Sequence, residues 1–203
     1  MSEQVPPTEE NGEDQRPAGP RIYVASLSDY NAGVLHGVWL DCNDSVEALR
    51  SGIDQMLADS PATKRWGEMA EEWAIHDYEG FGRHIQLNEY ESLERVSRLA
   101  RGIAEHGDAF AAWWSIEEPD DEDWGEIEVQ FQDRYLGEYE SLEKYGEQVL
   151  EDMGCDLDEI QGIPEGLRPY LTIDVAAWAR DMEVGGDITT MERGRGVYVF
   201  CNA

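Results

Sequence analysis

Alternating and β-branched apolar residues predict strands near both ends of the chain. After Pro20, RIYVASL (21–27) predicts a strand, SDYNAG predicts turns, and VLHGVWLD (34–41) predicts a second strand. EWAIHDY (72–78) predicts a third strand. Toward the C-terminus, DITTM and VYVFC flank a tight ERGRG connection and predict a closing hairpin.

Apolar residues at intervals of three and four predict helices between these strands. Asp44, with Glu47 three residues later, predicts a capping box, and helical spacing then continues until Pro61. The hexapeptide EYESLE occurs at 89–94 and again at 138–143, and both copies are expected to open a helix. Another helix is expected over about 172–183. Together with the strands, these helices indicate an α+β fold.

The helix after the second EYESLE copy has two contrasting faces. Four apolar residues recur on one side and are expected to face the core: Leu142, Tyr145, Val149 and Met153. Four glutamates fall within an arc of about 80° on the other side, and they are named here the glutamate stripe: Glu140, Glu143, Glu147 and Glu151. Only Lys144 lies near them in the sequence. The stripe is predicted to be exposed.

The charge balance narrows the choice of partner. The 203 residues include 45 acidic and 15 basic side chains, a formal net charge of −30. Such a surface repels phosphate, which argues against binding nucleic acid or an anionic membrane and favours a basic partner. No apolar run approaches the length of a membrane span, and the N-terminus lacks the apolar region of a signal peptide, so a cytoplasmic location is expected. The polar residues 1–20 are predicted to be a disordered leader.

The acidic residues are concentrated in one part of the chain. Positions 117–160 hold 18 acidic and two basic residues, so these 44 positions carry −16 of the charge. Salt-adapted proteins are expected to spread their acidity evenly, so this concentration favours an acidic interaction surface, although a salt-adapted protein or a generic acidic adaptor stays an alternative. The candidate surface residues are Glu117, Glu118, Asp120, Asp121, Glu122, Asp123, Glu126, Glu128, Asp133, Glu138, Glu140, Glu143, Glu147, Glu151 and Asp152.

Motifs that would indicate catalysis are missing from the sequence. It contains no P-loop, no HExxH, no GxSxG and no complete GxGxxG. The three cysteines form no CxxC pair, which predicts reduced thiols. A metal-dependent enzyme is the weaker alternative, and it would use four residues close in sequence: His76, Asp77, Glu79 and His84. We therefore expect a protein that is not an enzyme and has neither cofactor nor metal.

Several segments together resemble the ArdA family of antirestriction proteins. They are RIYVASLSDYNAG, LHG and WLD within 21–41, EWAIHDYEGF at 72–81, both EYESLE copies, IPEGLRPYL at 163–171 and AWARDM at 177–182. Members of this family are DNA mimics carried by mobile genetic elements. The resemblance implies a protein that occupies the DNA-binding channel of type I restriction–modification enzymes, where it contacts the specificity and modification subunits and so protects incoming DNA.

The resemblance also implies an elongated molecule of three small domains. An α+β domain is expected over 21–90, a helical domain over 91–133 and a second α+β domain over 134–203. The last domain is expected to form a homodimer through the segment that resembles the family's antirestriction motif, residues 146–164. Four apolar residues are expected in this interface: Leu150, Met153, Leu157 and Ile160.

Overall fold

The computed structural model describes residues 19–67, 69–119, 125–154, 162 and 164–202. These residues form two compact units. The first contains the described chain up to Gly80 together with Asn88–Ala100, and the second contains Phe81–Leu87 and the chain from Arg101 onward. Each unit combines helices with a three-stranded antiparallel sheet, which confirms the α+β prediction. The division into three domains stays a prediction.

The first unit is built around a central strand. Its elements are β1 (Arg21–Ser26), α1 (Leu27–Asn31), β2 (Gly37–Asp41), α2 (Val46–Ala58), α3 (Pro61–Trp66), β3 (Trp73–Glu79) and the start of α4 (Leu93–His106). The sheet order is β2-β1-β3, so β1 has a neighbour on both edges. Ile22, Val24 and Ala25 of β1 are fully buried. Helix α2 adds Leu49, Ile53 and Met56, which repeat every three or four residues and so share one buried face.

Two local details of the first unit differ from the sequence predictions. Helix α2 is capped by Ser45 rather than Asp44, because the Ser45 hydroxyl accepts a hydrogen bond from the Ala48 amide. The short helix α1 begins at Leu27, the last residue of the predicted first strand, and covers most of the predicted turn SDYNAG. Its Asp29 side chain is fully buried and accepts a hydrogen bond of 2.7 Å from the Ala62 amide at the start of α3. This contact across 33 residues fixes α1 against α3.

The second unit contains the closing hairpin. Its elements are the end of α4, α5 (Asp108–Glu117), α6 (Ile127–Arg134), β4 (Tyr135–Tyr139), α7 (Leu142–Asp152), a 3-10 turn (Arg168–Tyr170), α8 (Val175–Gly185), β5 (Ile188–Glu192) and β6 (Val197–Cys201). The predicted hairpin is confirmed, and β6 is the middle strand in the order β4-β6-β5. Helix α8 begins later than expected, because the Asp174 side chain caps it at the Ala177 amide.

An aromatic cluster connects the helices of the second unit. Phe110 on α5 packs against Trp113, Trp114 and Phe131, with ring centroids 5.2–5.8 Å apart. Gly102 on α4 permits this packing, because a Cβ atom there would lie 2.1 Å from Cε1 of Phe110. In the described ranges, no helix has both the length and the apolar character needed to cross a membrane.

Candidate interaction surface

Helix α7 carries most of the glutamate stripe and is held in place by its other face. The helix begins after Ser141, whose hydroxyl accepts a hydrogen bond from the Lys144 amide at 3.2 Å. Three of the four predicted core residues are on the packed side. Tyr145 is buried in a cluster with Ile188 and Val199, and Leu142 and Val149 pack against it. Met153, by contrast, is the C-cap residue of α7 and is 69% exposed, so its prediction as a core residue was wrong.

A close approach of two helices fixes the orientation of α7. Gly146 is buried where α7 meets α8, and a Cβ atom there would lie 2.9 Å from Cγ1 of Val175 and 3.0 Å from Cβ of Ala179. A glycine therefore lets the two helices pack closely. Since this side of α7 is occupied by protein, the opposite side faces solvent.

All four residues of the glutamate stripe are exposed, as predicted. Glu143, Glu147 and Glu151 lie on α7, but Glu140 precedes the cap residue Ser141. The backbone of Ser141 is extended, with φ −160° and ψ 164°, so the helical spacing used in the prediction does not apply to Glu140. Glu143 and Glu151 are eight helical positions apart, which places their Cα atoms about 12 Å apart along the axis.

A single lysine partly neutralises this surface. Lys144 Nζ lies 2.5 Å from Oε2 of Glu147. The hydrogen bond and charge of Glu147, together with the charges of Glu143 and Glu140, raise the pKa of Lys144 above its usual value. All three carboxylates therefore stabilise the charged form of the same lysine. Within the described chain, Glu140, Glu143 and Glu151 form no ion pair of their own.

The other candidate surface residues occupy several environments. Most of those that the structure describes are exposed: Glu118, Glu126, Glu128, Asp133, Glu138 and Asp152. Two of the fifteen are paired with arginines. Glu117 lies 2.5 Å from Arg134 and is largely covered, and exposed Glu138 lies 3.4 Å from Arg193. Four candidates lie outside the described residues: Asp120, Asp121, Glu122 and Asp123.

The predicted dimer residues are described only in part. Leu150 is half-buried and Met153 is exposed at the end of α7. Leu157 and Ile160 lie outside the described residues. The homodimer interface therefore stays a prediction.

The first unit contains an acidic groove that the sequence reasoning missed. Its volume is about 710 Å³, and five carboxylate residues line it: Asp54, Glu71, Glu72, Glu91 and Glu94. Glu94 pairs with Arg50 and Glu91 pairs with Arg95. The other three carboxylates form no ion pair in the part of the chain that the structure describes. Because these residues come from three separated segments, no local pattern marks them as a group.

The structure gives the metal-enzyme alternative no geometric support. His76 is exposed and packs edge-on against Tyr30, with ring centroids 4.9 Å apart. His84 Nε2 lies 3.1 Å from the Glu192 carbonyl oxygen. Among the described residues, no three histidine, cysteine or acidic side chains converge in a way that would hold a metal ion. Burial, reinforced by Asp41, raises the pKa of Cys42 to about 12, so this thiol is a poor nucleophile.

Comparison with known proteins identifies the family. Residues 22–197 match the model of the family described as Antirestriction protein (ArdA). A comparison with curated proteins finds none that matches. The family match includes parts of both units and covers most of the chain, which confirms the resemblance seen in the sequence. Proteins of this family are inhibitors that act against restriction–modification systems rather than a known class of enzymes. The chain therefore belongs to the ArdA family of antirestriction proteins.

Proposed function

We propose that this protein is a DNA mimic that occupies the DNA-binding channel of a type I restriction–modification enzyme. The observation that carries the proposal is the glutamate stripe, which is exposed and largely unpaired. Three of its residues lie on α7, whose opposite face is packed, and Glu140 lies just before that helix. Carboxylates are the side chains that most resemble phosphates in charge and in hydrogen-bond acceptance. Basic residues of the specificity and modification subunits, which otherwise bind the DNA backbone, are their partners.

The energetics of the stripe favour a functional reason for its acidity. Two uncompensated carboxylates about 6 Å apart repel each other by roughly 0.7 kcal/mol in water. Repeated along a surface, this repulsion lowers stability, whereas the packing of Tyr145 and Gly146 raises it. Because the helix is already ordered, its glutamates meet a partner without the entropic cost of folding a flexible acidic segment.

The proposal also includes the finer features that the family resemblance implies. The protein acts in the cytoplasm, on behalf of a mobile genetic element, as an elongated homodimer of three-domain chains. Pairing through residues 146–164 would double the length of acidic surface offered to the enzyme. Neither substrate turnover nor a cofactor is part of this mechanism, which consists of binding alone.

A displacement assay tests the mechanism directly. A labelled duplex is bound to a purified type I methyltransferase core, made of specificity and modification subunits, and fluorescence anisotropy follows its release by the protein. We expect complete release, with an affinity that falls steeply between 50 and 300 mM salt, as is typical of many charge contacts with a screening length of about 10 Å at 0.1 M. Failure to release the duplex contradicts the proposal, and a flat salt dependence favours the generic adaptor.

The glutamate stripe is tested in the same assay. Glutamine at Glu140, Glu143, Glu147 and Glu151 is expected to weaken binding by about 1–3 kcal/mol and to flatten the salt dependence. A matched variant removes four other exposed carboxylates that have no ion pair in the described chain: Glu105, Glu165, Asp181 and Asp187. It is expected to retain most of the affinity. Equal losses in the two variants would assign the stripe to an ordinary solvated face.

The homodimer is tested by sedimentation. Met153→Asp places a charge on an exposed residue of the proposed interface, so we expect a folded monomer with weaker inhibition. Val184→Asp is the control, because Val184 is 81% exposed on α8 outside residues 146–164. A Met153→Asp protein that stays dimeric would place the interface elsewhere.

A further inference from the structure

The second unit contains a cavity whose charge is opposite to that of the protein as a whole. Its volume is about 430 Å³. Arg83, Arg193 and Arg195 line it together with His84, and Asp108 is the one carboxylate among the lining residues. Three of the chain's 15 basic residues therefore meet at one place, although the chain has 45 acidic residues. We call this feature the arginine cavity.

Two of these arginines have no carboxylate partner in the described chain. Arg83 donates hydrogen bonds to the Glu192 carbonyl oxygen and to His84, neither of which neutralises its charge. Arg195 is exposed and has no hydrogen bond or ion pair with a described residue. Arg193 lies over the Tyr198 ring and 3.4 Å from Glu138. In a chain with three acidic residues for each basic one, unpaired guanidinium groups around a cavity indicate an anion site.

Each of the two loops that form the cavity has a glycine directly beside an arginine. Gly82 has a φ of +78°, which favours glycine, and it precedes Arg83 in the first loop. Gly194 separates Arg193 from Arg195 in the hairpin connection, and a Cβ atom at Gly194 would meet no atom within 4 Å. The cavity is therefore open beside its arginines, and a ligand has room to approach them.

We propose that the arginine cavity binds the phosphate group of a small phosphorylated molecule. The planar guanidinium group donates two parallel hydrogen bonds, which matches the oxygens of a phosphate. A volume of about 430 Å³ falls in the usual range for small-molecule sites, which is about 300–1,000 Å³, and leaves room for a group attached to the phosphate.

The overall charge selects against larger phosphate ligands. A net charge of −30 repels a nucleic acid along its whole length. A small anion inside the cavity experiences mainly the nearby arginines, because more distant charges are screened over about 8 Å at physiological ionic strength. A mononucleotide-sized ligand is therefore favoured over a duplex. One carboxylate of the proposed contact surface, Glu138, pairs with Arg193 of the cavity, but the residues of the glutamate stripe are not among those that line it.

Calorimetric titration tests the site with three probes: inorganic phosphate, adenosine monophosphate and adenosine. Chloride keeps the ionic strength constant. We expect saturable binding of at least one phosphate-bearing probe and none of adenosine. If inorganic phosphate binds as well as the nucleotide, the phosphate alone is the ligand group. Tighter binding of the nucleotide shows that the rest of the cavity contributes. Absence of saturable binding of both phosphate probes overturns the proposal.

Two variants and a control assign the binding to the cavity. Arg195→Gln removes a side chain that holds no described partner, so we expect an unchanged thermal midpoint and about tenfold weaker phosphate binding. Asp108→Asn removes the opposing charge and is expected to strengthen binding about threefold. The control, Arg180→Gln, changes the charge equally at an exposed position of α8 and is expected to have less than about a twofold effect. Equal losses for Arg195→Gln and Arg180→Gln would overturn the proposal.

Discussion

The two EYESLE copies place the same six side chains in different surroundings. In both copies the serine caps a helix: the Ser92 hydroxyl accepts a hydrogen bond from the Arg95 amide at 3.0 Å, and Ser141 accepts one from Lys144 at 3.2 Å. Before the serine the backbones differ. The first copy begins in a turn, whereas Glu138 and Tyr139 of the second copy end β4 and pair with β6.

The charges of the two copies also differ. Both final glutamates of the first copy have arginine partners, since Glu91 pairs with Arg95 and Glu94 pairs with Arg50. The equivalent residues of the second copy, Glu140 and Glu143, are exposed and form no ion pair in the described chain. The hexapeptide thus determines where a helix begins, while residues outside it decide whether its carboxylates are paired. In the first copy these residues are Arg95, directly after the hexapeptide, and Arg50 on α2.

The largest expected effect concerns the glycine in the helix that follows each copy. Gly102→Ala is expected to lower the free energy of unfolding by about 2 kcal/mol, because the buried ring of Phe110 leaves no room and the gain in helix propensity is only about 1 kcal/mol. Gly146→Ala is expected to cost about 1 kcal/mol, less than Gly102→Ala, since its Cβ would lie 2.9 Å from Cγ1 of Val175 and 3.0 Å from Cβ of Ala179 and the two helices must move slightly apart. Urea unfolding measures both changes. Similar values would show that α7 and α8 are packed as tightly as the aromatic cluster.

The second-largest expected effect concerns the glutamates that are unpaired in the second copy and paired in the first. Gln substitution of both Glu140 and Glu143 is expected to weaken release of DNA from the methyltransferase core about fivefold without loss of stability. The equivalent substitutions at Glu91 and Glu94 are expected to lower stability by up to about 1 kcal/mol and to change inhibition by less than about twofold. The reverse pattern would mean that the first copy contacts the enzyme.

The serine caps are expected to contribute equally. Ser92→Ala and Ser141→Ala each remove one side-chain hydrogen bond to a helix amide, so each is expected to lower the free energy of unfolding by about 1 kcal/mol. Threonine at either position retains the hydroxyl and is the control. A loss of stability in only one of the two alanine variants would show that the serine contributes to helix capping in that copy alone.

The smallest expected effect is at the tyrosines. Tyr139 packs edge-on against Tyr145 with ring centroids 5.2 Å apart, so Tyr139→Leu is expected to cost about 0.5–1 kcal/mol. Tyr90 is 71% exposed, so Tyr90→Leu is expected to change stability by less than about 0.5 kcal/mol. Thermal unfolding compares the two. A larger effect at Tyr90 would contradict the assignment of its side chain to solvent.

The elements that the sequence predicted well depend on short-range chemistry. A serine cap acts within three residues, and the strands of the closing hairpin are separated by only four positions, 193–196. The one wrong cap, at the start of α2, is an error of a single position. Asp44 and Ser45 are adjacent and both residue types cap helices, so the sequence alone does not show that Ser45 is the cap residue.

The features that the sequence did not predict depend on distant contacts. Helix α1 replaces a predicted turn, and the Asp29 side chain that holds it against α3 bonds to Ala62, far along the chain. Glu117 belongs to an acidic run, yet Arg134 partly neutralises it from another helix. The acidic groove of the first unit collects residues from three segments. A count of charges along the chain shows neither which residues pair nor which of them meet in one groove.

The buried carboxylate of Asp29 makes the contact between α1 and α3 resistant to mild acid. Burial raises its pKa, but the hydroxyls of Ser26 and Ser60, the Ala62 amide and the charge of His36 outweigh this effect, and the net pKa lies below the usual value. The resulting stability is present above the unfolded pKa of about 3.9 and is lost as pH falls through the lower native value. Acidification therefore loosens the contact between α1 and α3 only below the usual pH range for aspartate protonation, so this part of the fold tolerates mild acid.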